Sequence, residues 1–216
     1  VIDVAMPART DRLHVEPYWL GDSPRAVRNA ARQRVGSDGG RFIDLNLQRT
    51  ADGVCGCHWG TPRANGYLFI VRRSRLGRRA LTDSELDRPL IFWSTRDVKR
   101  LRRTRHVGTS YGSRVRIHSY AELVRICKRS GVVPCFELKT KSFDDRELAA
   151  RMVKYAQRVG ALVYFMTLVT MPNWRGKVCA FHSVGAQVAL LAHDAPKPAD
   201  LANYRRCITR IWGSWA

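Results

Sequence analysis

Phe42-Ile-Asp-Leu-Asn-Leu-Gln-Arg-Thr-Ala-Asp-Gly-Val-Cys-Gly-Cys-His-Trp59 is the stretch on which the reading of this chain turns. Ile43, Leu45 and Leu47 alternate with Phe42, Asp44 and Asn46, which is the period of a pleated strand. One face is aliphatic and suited to packing under helices. The other carries Asp44 and Asn46, two residues apart and therefore pointing the same way. Thr50-Ala-Asp-Gly then signals a turn, and a short return run ends at His58. An acid, an amide and an imidazole thus come from one strand and its return. These residue types suit a hard cation and a phosphate.

The remainder of the chain alternates strand and helix patterns. Arg12 to Tyr18 alternates weakly and fits a first strand carrying His14, which reads equally as a histidine on an ordinary strand. Asp22 or Ser23, with Pro24, fits a helix start, and the glycines from Gly36 end that helix. Tyr67 to Val71 reads as an additional strand, Arg72 to Arg79 as a basic loop, and Ser94 to Leu101 as a short helix. Ser119 caps a helix through Arg129, which Gly131 stops. In the strand Val132 to Lys139, Cys135, Glu137 and Lys139 share one face, while Phe136 and Leu138 share the other. Glu137 and Lys139 are also spaced to pair with each other. An amphipathic helix is expected over Asp144 to Val159 and a buried strand over Ala161 to Val169. A short helix follows at Trp174 to Val184, a buried strand at Gln187 to His193, and a last helix at Pro198 to Trp212. His193 and Asp194 read as a polar pair where a strand runs into a loop. This alternation specifies an α/β class with a mostly parallel sheet.

Composition sets the partners. Lys and Arg number 38 against 18 Asp and Glu, a formal net charge of +20 at pH 7. Such a surface attracts polyanions, and equally suits solubility. The clusters Arg72–Arg79 and Arg100–Arg105 are the candidates for that contact, or are solvated faces. The six cysteines lack the paired spacing of a zinc site, which favours small buried cysteines, with disulfides left open. No apolar run approaches the ~20 residues of a membrane span, and no secretory signal core is visible, so a soluble protein is expected.

Three motifs in order resemble the glycerophosphodiester phosphodiesterase family, within the phosphodiesterase TIM-barrel superfamily. Asp44, Asn46, Thr50, Asp52, Gly53 and His58 fall on its signature of an acidic residue, any residue, Asp, then Thr-x-Asp-Gly and His-Asp, with one residue fewer before the His. Ile117-His-Ser-Tyr-Ala-Glu-Leu-Val and Gly131-Val-Val-Pro-Cys-Phe-Glu-Leu-Lys resemble its next helix start and its Glu-x-Lys strand. Ser23-Pro-Arg-Ala-Val-Arg-Asn-Ala-Ala resembles an early helix. The match runs from about Leu13 to Lys139 and departs at Asp44 for Glu, Asn46 for Asp, and Trp59 for Asp, while Val15 and Glu16 stand where Arg and Gly are usual.

The resemblance implies a (β/α) TIM-type barrel over residues 1–216 as a single domain, with a basic insertion around 60–116. The family barrel has eight strands over roughly 250 residues, whereas about six strands are legible here. The barrel is therefore incomplete at its C-terminal end, or completed by a second copy in a homo-oligomer, or the strand count is short. The resemblance further implies a metal-dependent phosphodiesterase, a phosphoric diester hydrolase of lipid metabolism. Asp44, Asn46 and Glu137 would hold Mg²⁺ or Ca²⁺, His58 and His14 would do the acid–base work, and Lys139 would face the substrate phosphate. The alternative is a catalytically impaired protein of the same fold, a structural or polyanion-binding module of a phage or cell wall.

Overall fold

Residues 13–15, 42–57, 60–62, 70–73, 77–101, 117–192 and 204–213 are described by the structure, a computed structural model. The first three strands are β1 (Leu13–Val15), β2 (Phe42–Arg49) and β3 (Val54–Gly56). β1 runs parallel to β2 with His14 beside Ile43, and β3 folds back antiparallel with Cys55 opposite Gln48. The turn between β2 and β3 closes where the Thr50 amide donates to the Gly53 carbonyl at 2.8 Å.

Strands β4 (Ile70–Arg73) and β5 (Gly77–Ala80) then pair antiparallel as a two-stranded sheet of their own, and helix α1 (Asp83–Asp87), a 3-10 turn at Leu90–Phe92 and helix α2 (Thr95–Arg100) follow. The basic stretch Arg72–Arg79, expected as a loop, is therefore a hairpin, with Arg72 opposite Arg78 and Val71 opposite Arg79. The strand expected over Tyr67 to Val71 is described from Ile70, where β4 begins, and the arginines hid its continuation into β5. Leu81, Leu86, Leu90, Val98, Leu101 and Ile117 close over Cys55 and Cys57 in a core of their own. Cys55 and Cys57 thus serve as small apolar residues, and all six cysteines are free thiols.

The second half repeats the strand–helix unit. It comprises α3 (Tyr120–Arg129), β6 (Val133–Leu138), α4 (Arg146–Arg158), β7 (Tyr164–Leu168), α5 (Trp174–His182), β8 (Gln187–Ala192) and β9 (Arg210–Gly213). The order β1-β2-β6-β7-β8-β9 is parallel throughout, and β3 adds an antiparallel neighbour to β2. This mixed sheet corresponds to a partial, open TIM-barrel-like fold, whose ends among the described residues are β1 and β9. The C-terminal stretch expected as a helix from Pro198 to Trp212 instead holds a 3-10 turn at Arg205–Cys207 and then β9, which pairs with β8 from Arg210 to Gly213. Ile-Trp next to β8 has the β-branched and aromatic character of a strand, and that pairing overrides a weak helical periodicity. The helix expected near Ser23 and the pair His193–Asp194 lie outside the described residues. No described helix is long and apolar enough to cross a membrane.

The sheet separates two cores by strand alternation. Ile43, Leu45, Leu47, Phe136, Leu138, Phe165, Val188 and Leu190 meet the helices on one face. Phe42, Cys135, Tyr164, Met166 and Ala189 line the other. That second, inner face is the one that carries Asp44, Asn46 and Glu137.

Helix α3 starts as its sequence dictates. Ser119 and Glu122 form a capping box, with the Ser119 amide donating to Glu122 Oε2 at 2.9 Å and the Glu122 amide to Ser119 Oγ at 3.4 Å. Lys99 Nζ, 3.0 Å from Glu122 Oε1, ties α2 to this cap. Burial alone would push the Glu122 carboxyl up, but the Ser119 amide, Lys99 and the Ser119 hydroxyl together hold it down to about 2. The unfolded chain therefore binds more protons than the folded one between about 4.5 and about 2. Stability from Glu122 is fully present above that window and is lost as pH falls through it. Glu122→Gln is expected to flatten this acid limb by about 1–2 kcal/mol, read from urea denaturation at pH 2.5 to 6.

Candidate active site

β2 and β6 are direct parallel neighbours in a register that sets Asp44 beside Cys135 and Asn46 beside Glu137. Adjacent strands lie about 4.8 Å apart, so the Asn46 and Glu137 side chains start next to each other on the inner face. Asp44 and Glu137 are both buried. Asn46 Oδ1 is buried and accepts no hydrogen bond, which leaves an acceptor in want of a cation or a donor. Lys139 Nζ stands 2.6 Å from Glu137 Oε1, so the pairing that the spacing allowed is made.

The strand ends around this cluster are tied down. The Lys139 amide donates to the Leu47 carbonyl, and the Cys57 amide to the Asn46 carbonyl. Thr140 Oγ1 accepts from the Arg49 amide and donates to Gln48 Oε1. The Arg49 guanidinium reaches Asp145 Oδ2 and the Ser142 carbonyl, each at 2.8 Å. These bonds fix the exit of β2 against the exit of β6, the strand end at which (β/α) barrel enzymes keep their sites.

The Thr-Ala-Asp-Gly turn has a docking role. Asp52 Oδ1 accepts from the Thr95 amide at 2.6 Å and from the Thr95 hydroxyl at 2.8 Å. The Thr95 amide first, then its hydroxyl, holds the Asp52 carboxyl below its usual range. Thr50 Oγ1 is 2.7 Å from Thr95 Oγ1, and the Ala51 amide donates to the Trp93 carbonyl. A Cβ at Gly53 would lie 2.7 Å from Thr95 Oγ1, so glycine lets the turn approach α2. Thr50, Asp52 and Gly53 thus seat the start of α2 on the end of β2.

Of the candidate residues, Asn46, Glu137 and Lys139 are brought together, and Asp44 precedes them on the same face. His14 lies in β1, paired in register with Ile43 on β2. His58 lies outside the described residues. Among the described residues no group of three or more His, Cys, Asp or Glu is gathered to hold a metal ion. The oxygen set here consists of two carboxylates and an amide. Its chemistry, with the unbonded Asn46 Oδ1, fits a hard cation held with less charge than three carboxylates would supply.

Lys177 was not among the candidates. Its side chain on α5 is fully buried, with Nζ donating to the Leu138 carbonyl at 2.7 Å. Burial pushes this ammonium down to about 8, against the pull of Glu137. Trp174, Lys177, Val178 and Phe181 fall at the i, i+3, i+4, i+7 spacing of a buried helical face, a signal that marks a lysine on that face as unusual.

Comparison with solved structures gives the fold a kinship. A phosphodiesterase from Oleispira antarctica, solved with its product sn-glycerol-3-phosphate, matches with a TM-score of 0.65 at 12% identity, over 94% of this chain and 74% of the other. A glycerophosphodiester phosphodiesterase from Agrobacterium tumefaciens matches with a TM-score of 0.52 at 13% identity, over 94% of this chain and 84% of the other. The chain is a distant structural relative of the glycerophosphodiester phosphodiesterases. At such identity the relationship is one of fold. No protein-family model matches the sequence, and no curated protein does.

Proposed function

We propose that this chain hydrolyses phosphodiesters of the glycerophosphodiester type, using Mg²⁺ or Ca²⁺ held by Asp44, Asn46 and Glu137. The observation that carries the reading is the side-by-side placement of Asn46 and Glu137, with Lys139 against Glu137, on the inner face of a phosphodiesterase-like fold. Bound there, the cation would offset charge on the phosphoryl oxygens. The protein's own groups have separate tasks. Lys139 turns from Glu137 to a phosphate oxygen. One imidazole of the pair His58 and His14 takes a proton from the attacking water as its oxygen bonds to phosphorus. The other gives a proton to the alkoxide that leaves as the P–O bond breaks.

Hydrolysis of bis(p-nitrophenyl) phosphate and of glycerophosphocholine, with Mg²⁺, Ca²⁺ or EDTA, tests this. Glu137→Gln is expected to lower kcat/KM by at least about 100-fold, since even groups one shell beyond a metal ligand are worth 10–100-fold. Activity insensitive to both EDTA and Glu137→Gln would refute the assignment.

A second reading rests on the hairpin of β4 and β5, which concentrates Arg72, Arg73, Arg78 and Arg79. On it the chain is a polyanion-binding module of phosphodiesterase fold. A wild-type chain inactive on every diester and metal, yet bound to heparin or DNA with an affinity that falls steeply with salt, would favour it.

A further inference from the structure

Lys177 carries a cost that its visible partner does not repay. Burying an ammonium costs more than one hydrogen bond to a neutral carbonyl returns. Its partner, the Leu138 carbonyl, stands between Glu137 and Lys139 in the chain. The charges that act on it are those of Glu137 and Asp144, which favour it, and of Lys139, which opposes it. A buried lysine whose field is set by the candidate site is more than a helix anchor.

The position is also held firmly. Asn173, the residue before α5, sits in the left-handed region at φ 59° and donates from Nδ2 to Asp144 Oδ2 at 2.6 Å. A Cβ at Gly176 would lie 2.5 Å from Asn173 Oδ1, so a glycine lets this corner close. One helical turn past Lys177, Phe181 packs on Phe165 with ring centroids 4.4 Å apart. The first turns of α5 are thereby laid across the exit of β6, from which Glu137 and Lys139 project.

We infer that Lys177 is a positioning residue of the phosphodiester site, a fixed positive charge behind Glu137. The inference rests on the reading of that site given above. With Lys139 paired to Glu137, the site holds two carboxylates, Asp44 and Glu137, against two ammonium groups, Lys139 and Lys177. When Lys139 turns to a phosphate, Lys177 stays and offsets Glu137. The site is thus biased toward the anionic substrate and against the free cation, and Asn46, neutral where a third carboxylate would add charge, biases it the same way.

The test measures Mn²⁺ and inorganic phosphate binding to the full chain by calorimetry, in wild type, Lys177→Met and Lys177→Gln. Gln keeps a donor for the Leu138 carbonyl and, like Met, removes the charge. In both variants phosphate affinity is expected to fall about tenfold and Mn²⁺ affinity to rise about tenfold, as for one unit charge several ångströms away. Their melting temperatures are expected at or above that of wild type. Wild type that binds both ions, with variants that fold and stay within twofold of it, would overturn the inference and leave the site reading intact. Wild type that binds neither ion overturns both. Two variants that fail to fold also overturn it, because the ammonium is then a structural requirement.

Discussion

The His58→Ala chain is expected to turn over a phosphodiester roughly 10²–10⁴-fold more slowly than wild type, the usual worth of a positioned general acid or base. His58 follows Cys57, whose amide is bonded to the carbonyl of Asn46, the residue beside Glu137. His14→Ala should cost a similar factor if His14 takes the place of the family's first histidine; the register argues against it, since β1 pairs His14 with Ile43 of the helix-facing row and sets Val15 beside Asp44. If the two imidazoles act as one relay, the double variant should lose little more than either single one. Steady-state kinetics of the two single variants and the double, with metal present, checks this. A His14→Ala chain as active as wild type would give the chemistry to His58 with another partner. Multiplying losses in the double variant would separate their roles.

The part of the site that was legible in the sequence is the part set by strand parity. Asp44 and Asn46 on one strand, and Glu137 and Lys139 on another, declare their faces by alternation with Ile43, Leu45, Phe136 and Leu138. Parity does not give the register between strands, and here register decides that Asn46 rather than Asp44 is the neighbour of Glu137. The Thr-Ala-Asp-Gly turn was legible as a turn, but its purpose depends on Thr95, 43 residues from Asp52, and no local pattern points there. Lys177 went unread although Trp174, Val178 and Phe181 put it on an apolar helical face, because that spacing gives the face and not the Leu138 carbonyl, 39 residues away, that receives the ammonium. The return strand β5 and the final strand β9 were hidden for a related reason. Each is a short segment whose strand state is fixed by pairing with a neighbour, while its own residues argue weakly.

Phe165→Ala is expected to destabilise the fold by about 3–5 kcal/mol, a large share of the 5–15 kcal/mol typical of a whole domain. Phe165 is fully buried in the middle of β7, paired in register with Phe136 on β6 and Val188 on β8. Its ring lies 4.4 Å from that of Phe181 on α5, and 6.1 Å from those of Phe136 and of Tyr120 on α3. Alanine there removes the shared contact of two helices and a neighbouring strand, and the surrounding rings cannot collapse into the space without moving α5. Phe92, 61% exposed on the 3-10 turn, is the control, and Phe92→Ala should stay within about 0.5 kcal/mol. Urea denaturation should show a lower midpoint for Phe165→Ala at an unchanged m value, and a shift under 1 kcal/mol would mean that the helices are seated elsewhere. The consequence reaches the site through one helix. Phe181 and Lys177 lie one turn apart on the same buried face of α5, so the contact that seats Phe181 on Phe165 also seats the ammonium on the Leu138 carbonyl. A Phe165→Ala chain that still folds should therefore show weakened phosphate affinity as well, and Phe165→Leu, which refills most of the space, should restore part of both.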